Sequence, residues 1–491
     1  MSVPSAEYLR LPFNRPEYFS VPELLISSLA HRAYERRQDA PPIGDGSAEK
    51  STGKVAGYMY QADAKQSKFV DVRSTFPTGQ KLAQLGELLA QHGRPTALIT
   101  ESTPESLGDA VARSVLGIRI ERTGNQPASP LSPSLALLQD ARGVLVKRNP
   151  PDFAEILEAM FALGSDSSQR EGQSASALWL RAVDRRLDHD PVLQAIDGAF
   201  MTGILSDGYE RRPGDLGHLE GRQWAGLFPD TPYSWFARVW SALTSDDWVD
   251  SLPARVWVDW ATTVLRLTMG LGFLWEAAWY ERIAAAVIGR SVPATFTELV
   301  ASVRPPLPWQ SSRATVTTRD VASLIKHRLR RGEKVRTYLG ARMKEHAKAR
   351  SLAAVSAIDF LRELSDEKGH VEALVKSLAD GTDKSKTVYE TVKYGLQVRE
   401  ASGPYTDYFG VLKAHGRRFV LVDPGTEWVT VVASLACRGR SRHCTVGDVL
   451  ADLSRLGMRP ELGDLVALLE RAGMARGSAD ADNAVIVERA F

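Results

Sequence analysis

The sequence predicts a mainly α, multidomain protein whose first domain is α+β. Three observations carry that expectation. The 491 residues exceed what one ordinary core accommodates and suggest about three domains. Apolar residues make up 44% of the chain and charged residues 24%, a balance that builds several cores rather than a disordered chain. Apolar positions recur at steps of three and four through most of residues 135–302 and again near the carboxyl end, while strand-like alternation is confined to short stretches.

Residues 1–130 read as the α+β domain. In "SVPELLISSLAHRAYERR", Ser20 is placed to cap a helix, Glu23 to return the bond, and Pro22 to occupy the first turn, where its missing amide hydrogen costs nothing. "KVAGYMYQADAKQSKFVDVRSTF" sets β-branched and aromatic residues among polar ones and predicts two short strands, with helices returning at 79–92 and 104–116. The opening "MSVPSAEYLRLPFNRPEYF" has no apolar run ending at a small-residue cleavage site, and the two cysteines, Cys437 and Cys444, cannot make a disulfide framework. Both features point to a cytoplasmic chain. Pro, Gly and Ser clusters at 40–53, 123–134, 164–176 and 303–312 are the expected loops and linkers.

Residues 135–302 form a helical, tryptophan-rich domain, with nine of the eleven Trp lying between Trp224 and Trp309. From Trp257 the run Trp257, Trp260, Val264, Leu267, Leu271, Leu274 and Ala278 marks one stripe of a single helix. A core of large rings is the expected use of these residues, and a ring-lined ligand pocket is the alternative. The stretch from Val256 to Tyr280 is as long as a membrane span, but Asp259, Arg266 and Glu276 interrupt it. A buried helix is therefore expected, and no membrane partner.

The segment 313–350 stands apart in charge. It holds twelve Lys and Arg against three acids, a local net of +9 in a chain that nets +2, so the remainder sums to −7. An apolar stripe of Val321, Leu324, Ile325 and Leu329 predicts a helix over 319–331, which Gly332 breaks or kinks before a second helix from Glu333. Lys326, Arg328, Arg330, Arg331, Lys334, Arg336, Arg342, Lys344 and Lys348 are the candidate nucleic-acid contacts, with Arg328 snorkelling outward from the stripe. Three acids cannot neutralise them locally. Nucleic acid, an acidic surface of this or another protein, and a plain solvated face all remain open as explanations.

Residues 424–491 offer three helices. "TEWVTVVASLAC" has Thr426 as its cap, "TVGDVLADLSRLG" has Thr445 with Asp448 three residues on, and "RPELGDLVALLERAG" has Pro460 in its first turn. Gly457 and Gly473 are suited to close the second and third in the left-handed conformation. "MARGSADADNAVIVERAF" adds two strand-like ends around a turn. Three helices followed by a hairpin resemble a winged-helix domain, a resemblance that implies a fold more than a ligand. Winged-helix domains often insert the third helix into the major groove, which requires a face that does not repel phosphate. Here that helix carries Glu461, Asp464 and Glu470, and from Thr445 onward acids outnumber bases eight to five. Docking of a protein partner, or of a second copy as a homodimer, is the expectation that follows.

Residues 351–423 look like a weaker copy of the same pattern. "KTVYETVKYGLQVRE" and "YTDYFGVLKAHG" read as two helices and "RRFVLVDP" as a wing strand. Lys413, His415, Arg417 and Arg418 make its end basic, so Lys413, Arg417 and Arg418 join the candidate nucleic-acid contacts.

No catalytic residue, cofactor or metal site is predicted. "GDGSAEKSTGKV" has Ala48 and Val55 where a phosphate loop needs Gly and Ser or Thr, and "MGLGFLWE" has neither a third glycine nor a preceding strand. "CRGRSRHC", with His443, lacks a fourth zinc ligand, and Asp188, His189 and Asp190 in "LDHDP" read as a helix end. Asp63, Lys65 and Asp71 have types that suit Mg²⁺-dependent cleavage, without a second supporting motif. The expected function is a non-catalytic adaptor or scaffold subunit of a bacterial DNA-handling complex, with restriction or phage defence as one setting, that touches phosphates without reading sequence. A winged-helix transcriptional regulator and a Mg²⁺-dependent nuclease are the alternatives.

Overall fold

The computed structural model describes residues 3–16, 19, 22–36, 80–92, 103–115, 117, 128–137, 153–166, 173–204, 209–211, 224–311, 313–398, 407–437, 444–475 and 485–490. Among these residues helix dominates at 68% against 6% strand, so helix packing sets the architecture. The first helices are α1 (Glu23–Ala33), α2 (Gln80–His92), α3 (Pro104–Ser114), α4 (Pro133–Leu137), α5 (Phe153–Gly164), α6 (Ala175–His189), α7 (Pro191–Ile204), α8 (Pro232–Leu243) and α9 (Asp246–Ser251). Strand β1 (Tyr34–Arg36) pairs antiparallel with β2 (Tyr209–Arg211). The long α10 (Ala254–Ile288) is followed by α11 (Phe296–Ala301), α12 (Val316–Arg319), α13 (Ala322–Ala349), α14 (Ala357–Asp366), α15 (Lys368–Ala379) and α16 (Lys386–Leu396). A hairpin of β3 (Leu412–His415) and β4 (Phe419–Val422) comes next. The chain closes with α17 (Thr426–Ala436), β5 (Cys444–Thr445), α18 (Val446–Arg455), α19 (Leu462–Arg471) and β6 (Ile486–Val487).

Helix α10 is the hub. Its apolar stripe is legible in the sequence, yet between Trp257 and Tyr280 it is buried on nearly every side, because α1, α5, α8, α13, α14 and α16 all pack against it. The large rings fill the core, as expected: Trp275 and Trp279 stack with centroids 5.8 Å apart, and Phe228 meets both edge-on. No helix among the described residues is long and apolar enough to cross a membrane.

The charges inside α10 each recruit a partner, as burial demands. Arg266, 2% exposed, donates through Nη1 to both oxygens of Asp407 at 2.8 and 2.7 Å, through Nε to the Gly395 carbonyl at 3.0 Å and through Nη2 to the Gln397 carbonyl at 2.9 Å. It thereby receives the carbonyl end of α16. Two glycines permit this approach, since a Cβ on Gly395 would stand 2.9 Å from the Arg266 carbonyl oxygen and one on Gly270 2.5 Å from Leu396 Cγ. Asp259 pairs with Arg255 at 3.3 Å; burial raises its carboxyl pKa and the guanidinium pulls it back.

The amino-terminal residues 3–16 form a strap. Leu11 donates its amide to the Tyr280 hydroxyl at 3.2 Å, and Trp279 Nε1 donates to the Leu9 carbonyl at 3.1 Å. Amides of Ala6 and Ala357 donate to Val355 and Pro4 at 2.8 and 2.9 Å, tying the strap to the start of α14.

Several local expectations shift. Helix α1 begins at Glu23 with Pro22 just before it, while Ser20 and the two strands expected around 54–76 lie outside the described residues. Thr426 sits inside α17, whose N-cap is Gly425. Thr445 and Asp448 do form a reciprocal capping box, and Gly457 and Gly473 adopt φ of 77° and 70°. The helix expected from "YTDYFGVLKAHG" is corrected: Leu412–His415 is strand β3, joined to β4 through Gly416 at φ 62°. A three-residue loop with a left-handed glycine is hairpin chemistry, and it outweighs the short apolar spacing that suggested a helix.

Candidate nucleic-acid interface

The basic segment is one helix, not two. Gly332 leaves α13 unbroken because it marks the crossing with α10, where a Cβ would stand 2.7 Å from Ala277 Cα. A mid-helix glycine costs only about 1 kcal/mol, which close packing of two long helices offsets. Ile325, Leu329, Val335, Leu339 and Met343 supply the buried stripe of α13. The helix starts later than expected, at Ala322, after the short α12 and Asp320, whose carboxylate accepts the Val420 amide at 2.9 Å.

Most of the arginines expected to lack anions have them. Arg328 donates to Glu281 at 2.9 Å and to the Pro306 carbonyl at 2.7 Å, and Arg331 lies 3.5 Å from the same carboxylate. Arg336 donates to the Phe13 carbonyl at 3.1 Å and lies 3.6 Å from Glu333 and 3.7 Å from Glu276. Arg15 completes that cluster, reaching Glu276 at 2.7 Å and Glu333 at 2.8 Å. Burial opposes the Arg15 charge, but the two carboxylates more than compensate and raise its pKa above the ordinary arginine value. Arg330 donates to the Asp380 carbonyl at 2.9 Å; Lys334 donates to that same oxygen and to Leu378. These two cations thus sit at the negative, carbonyl end of α15. Arg342 pairs with Glu345 at 2.7 Å and covers Tyr338, and Lys326 lies 5.1 Å from the Tyr389 ring centroid. Lys344 and Lys348 are exposed and unpaired among the described residues.

A different surface keeps its cations free. The β3–β4 hairpin pairs Leu412 with Val422 and His415 with Phe419, which projects Gly416, Arg417 and Arg418 as an exposed tip. Arg417 and Arg418 have no ion-pair partner among the described residues, while Lys413 lies 3.7 Å from Asp423. The hairpin is rooted at the end of α16, where Val398 donates to Leu412 at 2.8 Å and Val411 to Leu396 at 2.7 Å. Helix α16 buries Val388, Val392 and Leu396, leaving Lys386 and Lys393 on its outer side. Lys393 lies 5.7 Å from the Tyr394 ring. Helix α12 and the start of α13 pack along β4, with the Val321 amide donating to Val420 at 2.9 Å.

The carboxyl-terminal unit presents a different face. Strand β6 pairs with β5 on one side and bridges Ala475 on the other, behind α17, α18 and α19. Glu461 and Glu470 are exposed on α19. Asp452 of α18 is buried between Arg238 of α8 and Arg455, and Arg455 also reaches Asp230 at 3.0 Å, so the unit is clamped to the helical body. Trp309 and Trp428 meet edge-on at 6.1 Å, placing the expected 303–312 linker against α17.

The remaining candidates carry less. Asp63, Lys65, Asp71 and His443 lie outside the described residues. Asp188 and His189 end α6, and Asp190 caps α7 by accepting the Val192 and Leu193 amides at 3.0 Å. Cys437 and Cys444 are buried free thiols. Among the described residues no group of three His, Cys, Asp or Glu is placed to hold a metal ion. No protein-family model matches the chain, and no curated protein matches its sequence.

Proposed function

We propose that this chain is an adaptor that grips nucleic-acid phosphates through the β3–β4 hairpin and the outer side of α16, and docks a protein partner through its carboxyl-terminal unit. In this reading α14, α15, α16 and the hairpin form one winged-helix unit and α17, α18, α19 with β5 and β6 a second. Three helices followed by the β3–β4 hairpin support the first; three helices with β6 paired to β5 and bridged to Ala475 support the second. The observation that carries the reading is the hairpin tip, where Arg417 and Arg418 are exposed on a two-stranded arm with no ion-pair partner among the described residues. Phosphate contact of this kind is independent of sequence and weakens with salt. The acidic outer face of α19 favours a protein over a phosphate backbone.

The test is fluorescence anisotropy with duplex and single-stranded DNA over a salt series. Changing Arg417→Glu and Arg418→Glu together should weaken binding by about tenfold or more and flatten the salt slope by about 1 per residue. Unchanged affinity in that variant would overturn the assignment, and strong sequence preference at about 200 mM salt would favour a regulator instead.

A further inference from the structure

A cleft of 380 Å³ opens between the amino-terminal strap and the carboxyl half of α13. Glu7, Arg10 and Pro12 line it from the strap, and Arg336, Gly340 and Lys344 from the helix. Its size falls within the range of small-molecule sites, about 300–1,000 Å³. The walls are held firmly: the strap hangs from Tyr280 and Trp279 through Leu11 and Leu9, and Arg15 anchors its far end on Glu276 and Glu333.

The polar groups of the cleft divide into spent and unspent. Arg336 is occupied by Phe13 and Glu333. Arg10, Lys344 and Glu7 make no ion pair or side-chain hydrogen bond among the described residues. The Arg10 guanidinium lies over Gly340, at van der Waals distance from where a Cβ would stand, 3.7 Å from Arg10 Cζ. Lys344 follows one helical turn later on the same side of α13. One free cation and one free carboxylate on the strap thus share with Lys344 of α13 a cleft that is also lined by Leu11, Met343 and Leu352.

We propose that this cleft binds a nucleoside phosphate, either free or as the phosphorylated 5′ end of a strand. Arg10 and Lys344 take the phosphate, as a guanidinium fork and a point charge respectively. Glu7 supplies the acceptor that a ribose hydroxyl requires, the role a carboxylate plays in dinucleotide sites. The apolar lining receives the base. The site is separate from the hairpin and does not depend on the function proposed for it.

Calorimetric titration of the full chain tests this with AMP, ATP, adenosine, and oligonucleotides bearing 5′-phosphate or 5′-hydroxyl ends. Either nucleotide, or the 5′-phosphate oligonucleotide, should bind at least about tenfold tighter than its phosphate-free counterpart, a difference of about 1.4 kcal/mol. Saturation by AMP or ATP identifies a free nucleotide as the ligand; saturation by the 5′-phosphate oligonucleotide alone identifies a strand end. Arg10→Ala and Lys344→Ala should each weaken binding about tenfold, and Gly340→Leu, which fills the cleft and suits a helix, should abolish it. The Arg417→Glu, Arg418→Glu variant should bind the nucleotide normally. Absence of phosphate-dependent binding at about 1 mM ligand, or binding indifferent to all three cleft substitutions, overturns the proposal.

Discussion

Helix α13 and the β3–β4 hairpin are both arginine-rich, and they use that charge in opposite ways. On α13, Arg328, Arg331 and Arg336 turn inward and hold Glu281, Glu276 and Glu333, joining the helix to α10 and to the strap. On the hairpin, Arg417 and Arg418 stand at the tip of an arm and hold nothing within the described chain. A cation whose partners are its own carboxylates contributes to folding; one left facing water is available to a ligand. Density of charge along a sequence does not distinguish the two.

The contrast can be broken most sharply at Glu276, 3% exposed and shared by Arg15 and Arg336. Glu276→Ala should cost about 3 kcal/mol in denaturant unfolding, because it leaves two largely buried guanidinium groups to share the one carboxylate of Glu333. The next effect is at Gly332, where Gly332→Ala should destabilise by about 1–3 kcal/mol despite alanine's better helix propensity, since its methyl would meet Ala277. Arg417→Glu with Arg418→Glu should leave the unfolding midpoint in place while affinity for DNA falls by about 1.4 kcal/mol or more. Smallest of all, Lys348→Ala should change stability by no more than about 0.5 kcal/mol, as befits an exposed side chain without a partner. A reversal, with the hairpin variant unfolding and the Glu276 variant stable but unable to bind, would invert the assignment of the two regions.

What could be read from the sequence was mostly what local chemistry determines. The Thr445–Asp448 capping box and the left-handed Gly457 and Gly473 depend on neighbours within one helical turn, and all three appear as expected. The α10 stripe was legible because periodicity is local, but burial on its other sides comes from helices distant in sequence. The continuity of α13 was hidden for the same reason: Gly332 looks like a breaker until Ala277 is seen against it. The pairing of the basic segment was hidden because its anions, Glu276 and Glu281, belong to another helix. A signal did exist, since Arg266 and Glu276 inside an otherwise apolar run require distant partners of opposite charge. Pursued, it leads to Arg15 and Arg336 for one and to Asp407 for the other. The unspent trio of Glu7, Arg10 and Lys344 had no such signal, because only folding brings the strap beside α13.

The grip of Arg266 on Asp407 and on the last carbonyls of α16 also determines how this molecule can be cut. A fragment beginning near residue 351 would carry the hairpin and its helices but leave behind the guanidinium that satisfies them. Such an excised piece would expose a bare carboxylate beside orphaned carbonyls and the apolar side of α16, and should be recovered as aggregate rather than as a folded module. Dissection that respects this anchor has to carry α10 with the hairpin.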